Sequence, residues 1–248
     1  MKKLFATLSI LSVLFFFVPQ AHAALTTNIV SYWKLDGNSN DAVSTNNGTD
    51  TNVTYSTANG IINQGAGFSG TGNINVGNSN SLTLGSAMSI ALWTQPTTAP
   101  ASYPMLLCKG SVNTSYEMFW NTAFSPARLA FRSKVSPDNA VTSTTSASVG
   151  TWYFVVATWD GTTSKIYVDG YLSNSNTVGG FDTNTGNLYL ATCSSSNVYT
   201  GDVDEVGIWT RALSSAEVLQ LYNSGAGLQY PFTIAAVSSL FARIYSWF

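Results

Sequence analysis

Charged residues are scarce in this chain. Lys and Arg together number 10 and Asp and Glu 12, so that charged side chains make up 9% of the 248 residues. A protein that binds nucleic acid needs a basic surface to neutralise phosphates, and a chain with a formal net charge of -2 does not supply one. The composition therefore excludes nucleic acid as a partner.

Histidine is nearly absent, since His22 is the single example in the sequence. It lies within a leader segment that we expect to be removed. A histidine general base and a histidine-ligated zinc site are therefore excluded from the mature chain. The motif G-x-S-x-G is missing as well, which leaves a serine hydrolase without support.

The leader has the layout of a secretory signal peptide. Lys2 and Lys3 form a basic start, residues 4–18 are almost wholly apolar, and Ala21-His22-Ala23 has the small-x-small form of a cleavage site. A membrane anchor is the alternative, but the apolar run is shorter than the about 20 residues that a spanning helix needs. We predict a signal peptide at residues 1–23, cleaved after Ala23, and a secreted protein, extracellular or at the cell surface.

Cysteine is almost as rare, with Cys108 and Cys193 as the two examples. Both lie near the ends of predicted strands, and in the oxidising compartment of an exported protein such a pair can close a disulfide. The alternative is two separate buried thiols, because spacing in the sequence does not prove proximity. We predict the disulfide.

Short apolar stretches separated by turn residues recur along the mature chain. Residues 151–170 show the pattern best, because an aromatic and β-branched run, the turn Asp160-Gly161 and an alternating run together predict a β-hairpin. No strand–helix alternation is present, so the sequence predicts an all-β, two-sheet antiparallel sandwich formed by one domain, residues 24–230. Further strands are predicted at residues 27–35, 61–68, 74–76, 82–93, 105–109, 116–121, 129–132, 140–146, 188–193 and 203–209.

One short helix is predicted near the C-terminus. Ser214 is a favourable N-cap, and Glu217 three residues later completes a capping box. An apolar stripe follows in residues 218–222, and Gly225 ends the helix. We expect this helix to cover one edge of the sandwich.

Acidic residues cluster in two segments that are far apart in the sequence. Asp36, Asn38 and Asp41 lie in a loop, and Asp204 lies in a predicted strand where alternation places it on the same face as Val206. A carboxylate on an apolar face is costly unless it binds a metal or is fully hydrogen-bonded, and calcium prefers such oxygen ligands. Asp36, Asn38, Asp41 and Asp204 are therefore candidate calcium ligands. Ordinary Asx turns and a capped buried acid are the alternative.

Catalysis by paired carboxylates is not supported. Retaining glycoside hydrolases hold two carboxyl groups about 5 Å apart in one cleft. Asp202 and Asp204 share a strand face, but Val206 takes the next position on it and Glu205 points to the other face. The acid and nucleophile pattern is incomplete, and we interpret the protein as non-catalytic.

Aromatic residues are frequent, and not all of the following fit in a core: Tyr103, Tyr116, Trp120, Tyr171, Tyr199 and Trp209. Sugar rings stack on Trp and Tyr, while amides, hydroxyls and Lys supply hydrogen bonds. The loops at residues 109–116 and 194–199 are predicted ligand rims, which a disulfide between Cys108 and Cys193 would place side by side. The alternative is that these aromatics fill the core. The predicted ligand-binding residues are Lys109, Tyr116, Trp120, Asn197 and Tyr199.

An apolar tail, residues 231–248, follows the predicted domain. Its apolar residues recur at helical spacing, it is too short to span a bilayer, and it carries one basic residue, Arg243. With so little positive charge, attraction to a membrane would be weak. We expect the tail to dock on the domain itself or on a protein partner, and not on a membrane.

Seven segments carry a family resemblance through their order and spacing. They are residues 32–37 (YWKLDG), 46–49 (NNGT), 88–93 (MSIALW), 152–153 (WY), 166–170 (IYVDG), 201–209 (GDVDEVGIW) and 211–214 (RALS). Together they resemble the LamG-like, concanavalin A-like jelly-roll family of secreted bacterial modules. The resemblance implies two antiparallel sheets packed face to face, calcium at a site matched by Asp36 and Asp204, and recognition of carbohydrate or protein by one rim or the concave face.

The function predicted from these observations is a secreted, non-catalytic, calcium-stabilised module that binds carbohydrate or a glycosylated surface. One alternative is a structural or protein-binding module of an extracellular assembly or adhesin, which the apolar tail favours. Another is a glycoside hydrolase of the same fold, which the incomplete acidic pattern disfavours.

Overall fold

The computed structural model describes residues 23–133, 140–178, 180, 182–193 and 197–233. The predicted signal peptide, apart from Ala23, and the predicted tail from residue 234 onward lie outside the described residues. Within the described ranges, no helix is long and apolar enough to cross a membrane.

The described part of the chain contains thirteen strands, two short α-helices and three single-turn 3-10 helices. The prediction of an all-β antiparallel sandwich with one short C-terminal helix is confirmed. A single helical turn, α1, is added at the N-terminal end. The elements are α1 (Ala23–Thr26), β1 (Ile29–Trp33), β2 (Thr49–Ser56), β3 (Gly65–Gly77), β4 (Met88–Pro96), β5 (Met105–Lys109), β6 (Glu117–Asn121), β7 (Arg128–Arg132), β8 (Val141–Ser146), β9 (Tyr153–Trp159), β10 (Thr163–Val168), β11 (Tyr171–Thr177), β12 (Leu188–Leu190), β13 (Thr200–Trp209) and α2 (Ser215–Tyr222).

The strands form one continuous hydrogen-bonded network that folds back on itself. Their order is β11-β10-β9-β4-β13-β3-β12-β5-β6-β7-β8, with β1 paired to β13 and β2 to β3. The long strand β3 makes the corner, because its residues 66–69 pair with β13 and its residues 74–77 pair with β12. Between them Gly70 has φ +85°, a left-handed conformation that glycine adopts at no steric cost.

The two layers pack face to face around one large apolar core. Trp120 on β6 meets Tyr153 on β9 edge to face, with ring centroids 5.6 Å apart, although their strands are not paired in the sheet. Tryptophan, leucine and isoleucine side chains from both layers complete this core. At the outer ends of the network the Ser173 hydroxyl on β11 accepts a hydrogen bond from the Thr144 N–H on β8 at 2.9 Å, so that the sandwich is nearly closed into a barrel.

The predicted hairpin is present as β9 and β10. Trp159 pairs with Ser164 at the turn, and Val155 pairs with Val168 at the far end. Asp160 holds the turn, because its Oδ1 accepts hydrogen bonds from the N–H groups of Thr162 and Thr163. All seven residues of β9 are buried, since this strand lies inside the sheet with both of its faces covered.

The C-terminal helix α2 begins as predicted. The Ser214 hydroxyl accepts from the Glu217 N–H, and the Glu217 carboxylate accepts from the Ser214 N–H, which is a complete capping box. Tyr222 stacks against Trp93 at 5.8 Å between ring centroids, so that the helix covers the outer face of the sheet and not its edge. Asn223, in the left-handed conformation, ends the helix two residues before Gly225.

The predicted disulfide between Cys108 and Cys193 is present, with Cα atoms 5.3 Å apart. It lies in a small apolar cluster on the outer face of β5–β7, together with Met105, Phe119 and Ala130. Disulfides persist in oxidising compartments, so that this bond favours an extracellular location.

The disulfide should contribute measurably to stability, because it closes a sequence separation of 85 residues. We expect the double variant Cys108→Ser/Cys193→Ser to lose about 2–4 kcal/mol of unfolding free energy, measured by urea denaturation. A reducing agent should lower the urea midpoint of the wild type and leave that of the double variant unchanged. Equal midpoints for the oxidised wild type and the double variant would show that the bond contributes nothing.

Candidate functional site

The outer face of β5–β7 is where the structure places an open site. Along β6 the side chains alternate, so that Met118 and Trp120 point into the core while Glu117, Phe119 and Asn121 point outward. On β7, Arg132 pairs in register with Glu117. The strand register therefore places a carboxylate, an aromatic ring, an amide and a guanidinium on one surface above the disulfide.

This surface holds a cavity of about 370 Å³. Tyr103 stands at its rim with 43% of its surface exposed, and its ring lies 6.5 Å from that of Phe119 on the cavity floor. Such a volume lies in the range of small-ligand sites. The other lining residues are Met105, Val112, Asn113, Asn121, Ala123, Arg132, Ala140 and Asn197.

The charged groups of the cavity are paired with each other. The Arg132 guanidinium donates to the carboxylate of Glu117 and to the side-chain oxygen of Asn113, and it also lies 5.1 Å above the Phe119 ring. Burial raises the pKa of Glu117, while the hydrogen bond from the Asn113 N–H and the charge of Arg132 lower it. The ion pair with Glu117 therefore fixes the Arg132 guanidinium, with its N–H donors, above the Phe119 ring.

Several polar atoms of the cavity are left for a ligand. Asn197 donates from Nδ2 to the Ser102 carbonyl at 2.8 Å, which fixes the amide and leaves its Oδ1 without a partner among the described residues. The Nδ2 of Asn113 and the hydroxyl of Tyr103 have no partner there either. The site therefore offers a donor, an acceptor and a hydroxyl around an exposed ring.

Of the predicted ligand-binding residues, Asn197 lies in this cavity and the other four do not. Tyr116 and Trp120 are 0% exposed and Tyr199 is 1% exposed, because these side chains point between the sheets. Lys109 is also 0% exposed, and burial lowers its pKa. The expectation that these four residues form a ligand rim is corrected, since no ligand on the surface can touch them.

A second polar cluster arises at an irregularity in β13. The register of β13 with β4 shifts between Asp204 and Gly207, and Glu205 at this bulge has φ +52°. The bulge interrupts the alternation, so that Val206 faces the core while Asp204 and Glu205 both point to the outer face. The expectation that Asp204 shares a face with Val206 is therefore corrected.

The Asp204 carboxylate is held by a loop from the other end of the chain. Its Oδ2 accepts hydrogen bonds from the N–H groups of Ile61 and Ile62, at 2.8 and 3.0 Å. The Oδ1 of Asp36 accepts from the N–H of Gln64, at 3.0 Å, in the same loop. The two acids predicted to meet therefore flank one loop, residues 61–64.

Glu205 and Gln229 complete this cluster. The Gln229 side-chain amide donates to Asp36 Oδ2 at 2.9 Å and also to the Glu205 carboxylate, which in addition accepts from the Tyr32 hydroxyl. Burial and the neighbouring Glu205 raise the pKa of Asp204 to about 8. Burial also raises the pKa of Glu205 to about 7, partly offset by its hydrogen bonds and by Lys34.

Asn38 and Asp41 are engaged within their own loop. Asp41 accepts hydrogen bonds from the N–H groups of Tyr32 and Val43 and from the Ser44 hydroxyl, and Asn38 accepts from the N–H of Asn40. Among the described residues, the acids of this region provide no three ligand atoms that lie within 4.8 Å of one another. The structure therefore links Asp36 with Asp204 through a shared loop but does not add Asn38 and Asp41 to them.

The oxygen donors of Asp36, Asp204 and Glu205 are of the type that calcium prefers. Three carboxylates face a single nearby ammonium, that of Lys34. Such an excess of negative charge fits a hard cation, although the carboxylates would have to draw closer together to share one. Calcium stays a prediction.

Several residues of these sites were not named from the sequence as ligand or metal residues. Tyr103 was counted among the aromatics that cannot all lie in the core but not among the predicted ligand-binding residues. It lies in a polar, proline-containing segment, residues 97–104, and an isolated aromatic in such a loop is a usable signal. Arg132 and Asn121 could not be recognised, because only the pairing of β6 with β7 brings them together. Gln229 lies outside every motif and is placed only by the tertiary fold.

Comparison with solved structures supports the fold. Domain 4 of AbnA, an extracellular arabinanase of Geobacillus stearothermophilus solved in complex with arabinotriose, has a TM-score of 0.63 and 18% identity, over 77% of this chain and 97% of that one. The binding domain of Paraclostridial Mosquitocidal Protein 1 has a TM-score of 0.63 and 16% identity, over 80% of this chain and 52% of that one.

A structure of botulinum neurotoxin type C, whose cell entry depends on interaction with two ganglioside molecules, has a TM-score of 0.61 and 16% identity, over 82% of this chain and 52% of that one. The binding domain of botulinum neurotoxin DC, in complex with rat synaptotagmin II, has a TM-score of 0.60. The chain therefore spans about half the length of the toxin domains that it matches. These similarities are at the level of the fold.

No curated protein sequence matches the chain significantly. The sequence pattern of one family does match, over residues 68–219, and this range contains β4 to β13 and the first half of α2. The match covers more than half of the residues, and the sandwich described above has the architecture of that family. The chain therefore belongs to the concanavalin A-like lectin/glucanases superfamily.

Proposed function

We propose that this protein is a secreted, non-catalytic recognition module that binds carbohydrate or a glycoconjugate. The observation that carries the proposal is the cavity on the outer face of β5–β7, where the exposed ring of Tyr103 stands beside Asn113, Asn197 and Arg132. An aromatic ring next to fixed amides suits a sugar, because the C–H face of a sugar can stack on the ring while its hydroxyls form hydrogen bonds with the amides.

The available hydrogen-bonding atoms match a neutral, hydroxyl-bearing ligand. A sugar hydroxyl can donate to Asn197 Oδ1 and accept from Asn113 Nδ2, and both atoms are without partners in the described chain. Arg132 is neutralised by Glu117, so the cavity offers no free charge that would require a charged ligand. The chemistry therefore favours carbohydrate over an anionic or cationic small molecule.

The similar solved structures point in the same direction. Domain 4 of AbnA was solved with arabinotriose, and cell entry of botulinum neurotoxin type C depends on gangliosides. Two of the structures named above are binding domains by their descriptions. A recognition role for this chain is consistent with them, although the similarity itself extends only to the fold.

The arrangement of acids supports a non-catalytic reading. The carboxylate that borders the cavity, Glu117, is tied up by Arg132 and by the N–H of Asn113. Asp204 and Glu205 are buried and engaged by backbone and side-chain donors, in a different part of the molecule. A glycoside hydrolase would need two carboxyl groups lining one cleft that admits the sugar.

Calcium is the further part of the proposal. Asp36, Asp204 and Glu205 are the residues that would hold the ion, on the outer side of the loop at residues 61–64. A divalent cation there would offset three clustered carboxylates and tie β13 to that loop. Its contribution would be to stability and not to chemistry. Secretion is supported by the leader sequence and by the disulfide.

A protein-binding role is the second candidate, and one surface favours it. Tyr171 and Leu172 on β11 are 68% and 54% exposed, and Leu219 on α2 is 45% exposed. Leu219 lies beside Gly170, directly before β11, so that exposed apolar side chains of α2 and β11 meet at this junction, which we call the apolar patch. Botulinum neurotoxin DC, which shares the fold, was solved with a protein, synaptotagmin II.

The carbohydrate proposal predicts a loss of glycan binding when the cavity is altered. A glycan array that includes arabinotriose identifies the ligand, and calorimetry then measures its affinity. We expect Tyr103→Ala and Asn197→Ala each to weaken binding about tenfold, because each removes about 1.4 kcal/mol of stacking or hydrogen bonding.

The matched control is Tyr171→Ala, which removes an exposed tyrosine from β11, outside the cavity. This variant should bind glycan as the wild type does. If the array shows no glycan above background, or if Tyr103→Ala and Tyr171→Ala behave alike, the cavity is not a carbohydrate site. Loss of binding in the β11 variant alone would favour the apolar patch.

The calcium proposal predicts a stability that depends on both pH and calcium. In the folded chain the pKa values of Asp204 and Glu205, about 8 and about 7, lie above their ordinary values of 3.8 and 4.5. The folded state therefore binds more protons than the unfolded state between these values, so that stability falls as the pH rises from about 5 to about 8. In a chelator we expect this fall to be on the order of 2 kcal/mol, or about 4–8 °C in Tm.

Calcium should reverse most of this fall, because it binds the ionised carboxylates. The calcium-induced rise in Tm is expected to be larger at about pH 8 than at about pH 5. The variant Asp36→Asn should lose the rise, whereas Asp41→Asn should keep it. If calcium leaves the Tm at about pH 8 equal to that in chelator, the metal proposal is wrong. The pH dependence would then result from the ionisation of Asp204 and Glu205 without a metal.

A further inference from the structure

A second cavity of about 310 Å³ lies on the outer face of β13 at Asp202, two residues before Asp204. It is formed where β2, β3 and β13 meet the end of β4, and Gly67 and Asp202 lie at its base. Asp202 pairs in register with Gly67 on one side and with Gln95 on the other. Its side chain thus stands in the middle of a sheet, on the face that does not contribute to the main core.

Asp202 is largely buried, and its carboxylate has no donor within the described chain. Its exposed fraction is 7%, and no N–H or O–H group of the described chain donates to it. The other buried carboxylates, those of Glu117, Asp204 and Glu205, all accept hydrogen bonds from the protein. A carboxylate with so little contact with water is poorly hydrated, which a ligand with donor groups would offset.

The walls of this cavity are polar and uncharged. Hydroxyls come from Ser69, Thr97 and Thr200, and amides come from Asn52 and Asn59. Gly67 is required here, because a Cβ atom at this position would lie 2.4 Å from Asn59 Nδ2 and 2.8 Å from Thr54 Oγ1. The absence of a side chain at Gly67 keeps the space beside Asp202 open.

The donors and acceptors of the cavity decide the class of ligand. An ammonium group only donates, so it would satisfy Asp202 but could not accept from the side-chain amide of Asn52, whereas the amide of Asn59 already donates to Thr54. A sugar hydroxyl both donates and accepts. Two neighbouring hydroxyls can donate to the two carboxylate oxygens while the remaining oxygens accept from the Asn52 amide and the hydroxyls of the wall.

We propose that this cavity is a second carbohydrate subsite, in which Asp202 accepts hydrogen bonds from two adjacent hydroxyls of one sugar residue. The proposal takes its ligand class from the carbohydrate recognition proposed above and rests on it, but it concerns different residues on the other side of the sandwich. The volume lies at the lower end of the range for small-ligand sites, which fits a single sugar residue.

The test is a titration of the 15N-labelled protein with free glucose, galactose, mannose and arabinose, followed by amide resonances. We expect at least one sugar to shift the resonances of residues 67–69 and 200–202 in a saturable manner. The variant Asp202→Asn should weaken this response about tenfold or more, because a charged acceptor is replaced by a neutral one. The variant should fold, since no protein hydrogen bond is lost.

The matched control is Asp160→Asn, at the opposite end of β4, where Met88 pairs with Trp159. It should leave the response unchanged. Absence of saturable shifts at residues 67–69 and 200–202 overturns the proposal, and so does an equal response in Asp202→Asn and the wild type. A response of these amides to calcium chloride and not to sugars also overturns it, in favour of a cation site. Shifts at Asn113, Asn121 and Asn197 decide the first cavity separately.

Discussion

The interaction on which the rest of the structure depends is the capture of the Asp204 carboxylate by the loop at residues 61–64. Two backbone N–H groups donate to it across sequence separations of 143 and 142 residues, so that the loop before β3 is fixed onto β13. Asp204 is 0% exposed, and loss of its carboxylate would leave two partly buried N–H donors without a partner. Because β13 pairs with β1, β3 and β4, this contact joins three further strands to one point.

The same bulge that places Asp204 also creates an electrostatic cost. Without it, Glu205 would point into the apolar core; with it, Asp204 and Glu205 lie together and come near Asp36. Tyr32 and Gln229 offset part of this cost by donating hydrogen bonds to Glu205. Because Tyr32 belongs to β1 and Gln229 to the C-terminal segment, these hydrogen bonds also hold that segment against β1. Phe232 then packs edge to face on Tyr32, with ring centroids 5.3 Å apart. The polar cluster and the apolar cover are therefore parts of one arrangement.

Much of the fold could be predicted from the sequence, because the inner strands are buried and carry an apolar pattern. The aromatic and β-branched run before Asp160-Gly161 predicted β9, and the capping box predicted the start of α2. The strands that were missed, β2 and β11, have mostly exposed side chains. They are strands because a neighbouring strand supplies their hydrogen-bond partners. Their own residues carry no strand pattern from which this pairing could be predicted. The bulge was missed for a similar reason, since strict alternation assumes an unbroken ladder.

The site was harder to predict than the fold, because composition does not show which outer surfaces stay open. The aromatics that were predicted to bind a ligand are in the core, where their size fills the space between the sheets. On the outer side, α2 and Phe232 cover the sheet around Trp93 and Trp209, and that surface is accordingly apolar. Within the described residues no such cover lies over Tyr103 and its neighbouring amides. A ligand can reach the sandwich only where the chain does not cover itself, and it is at such places that polar side chains replace the apolar ones.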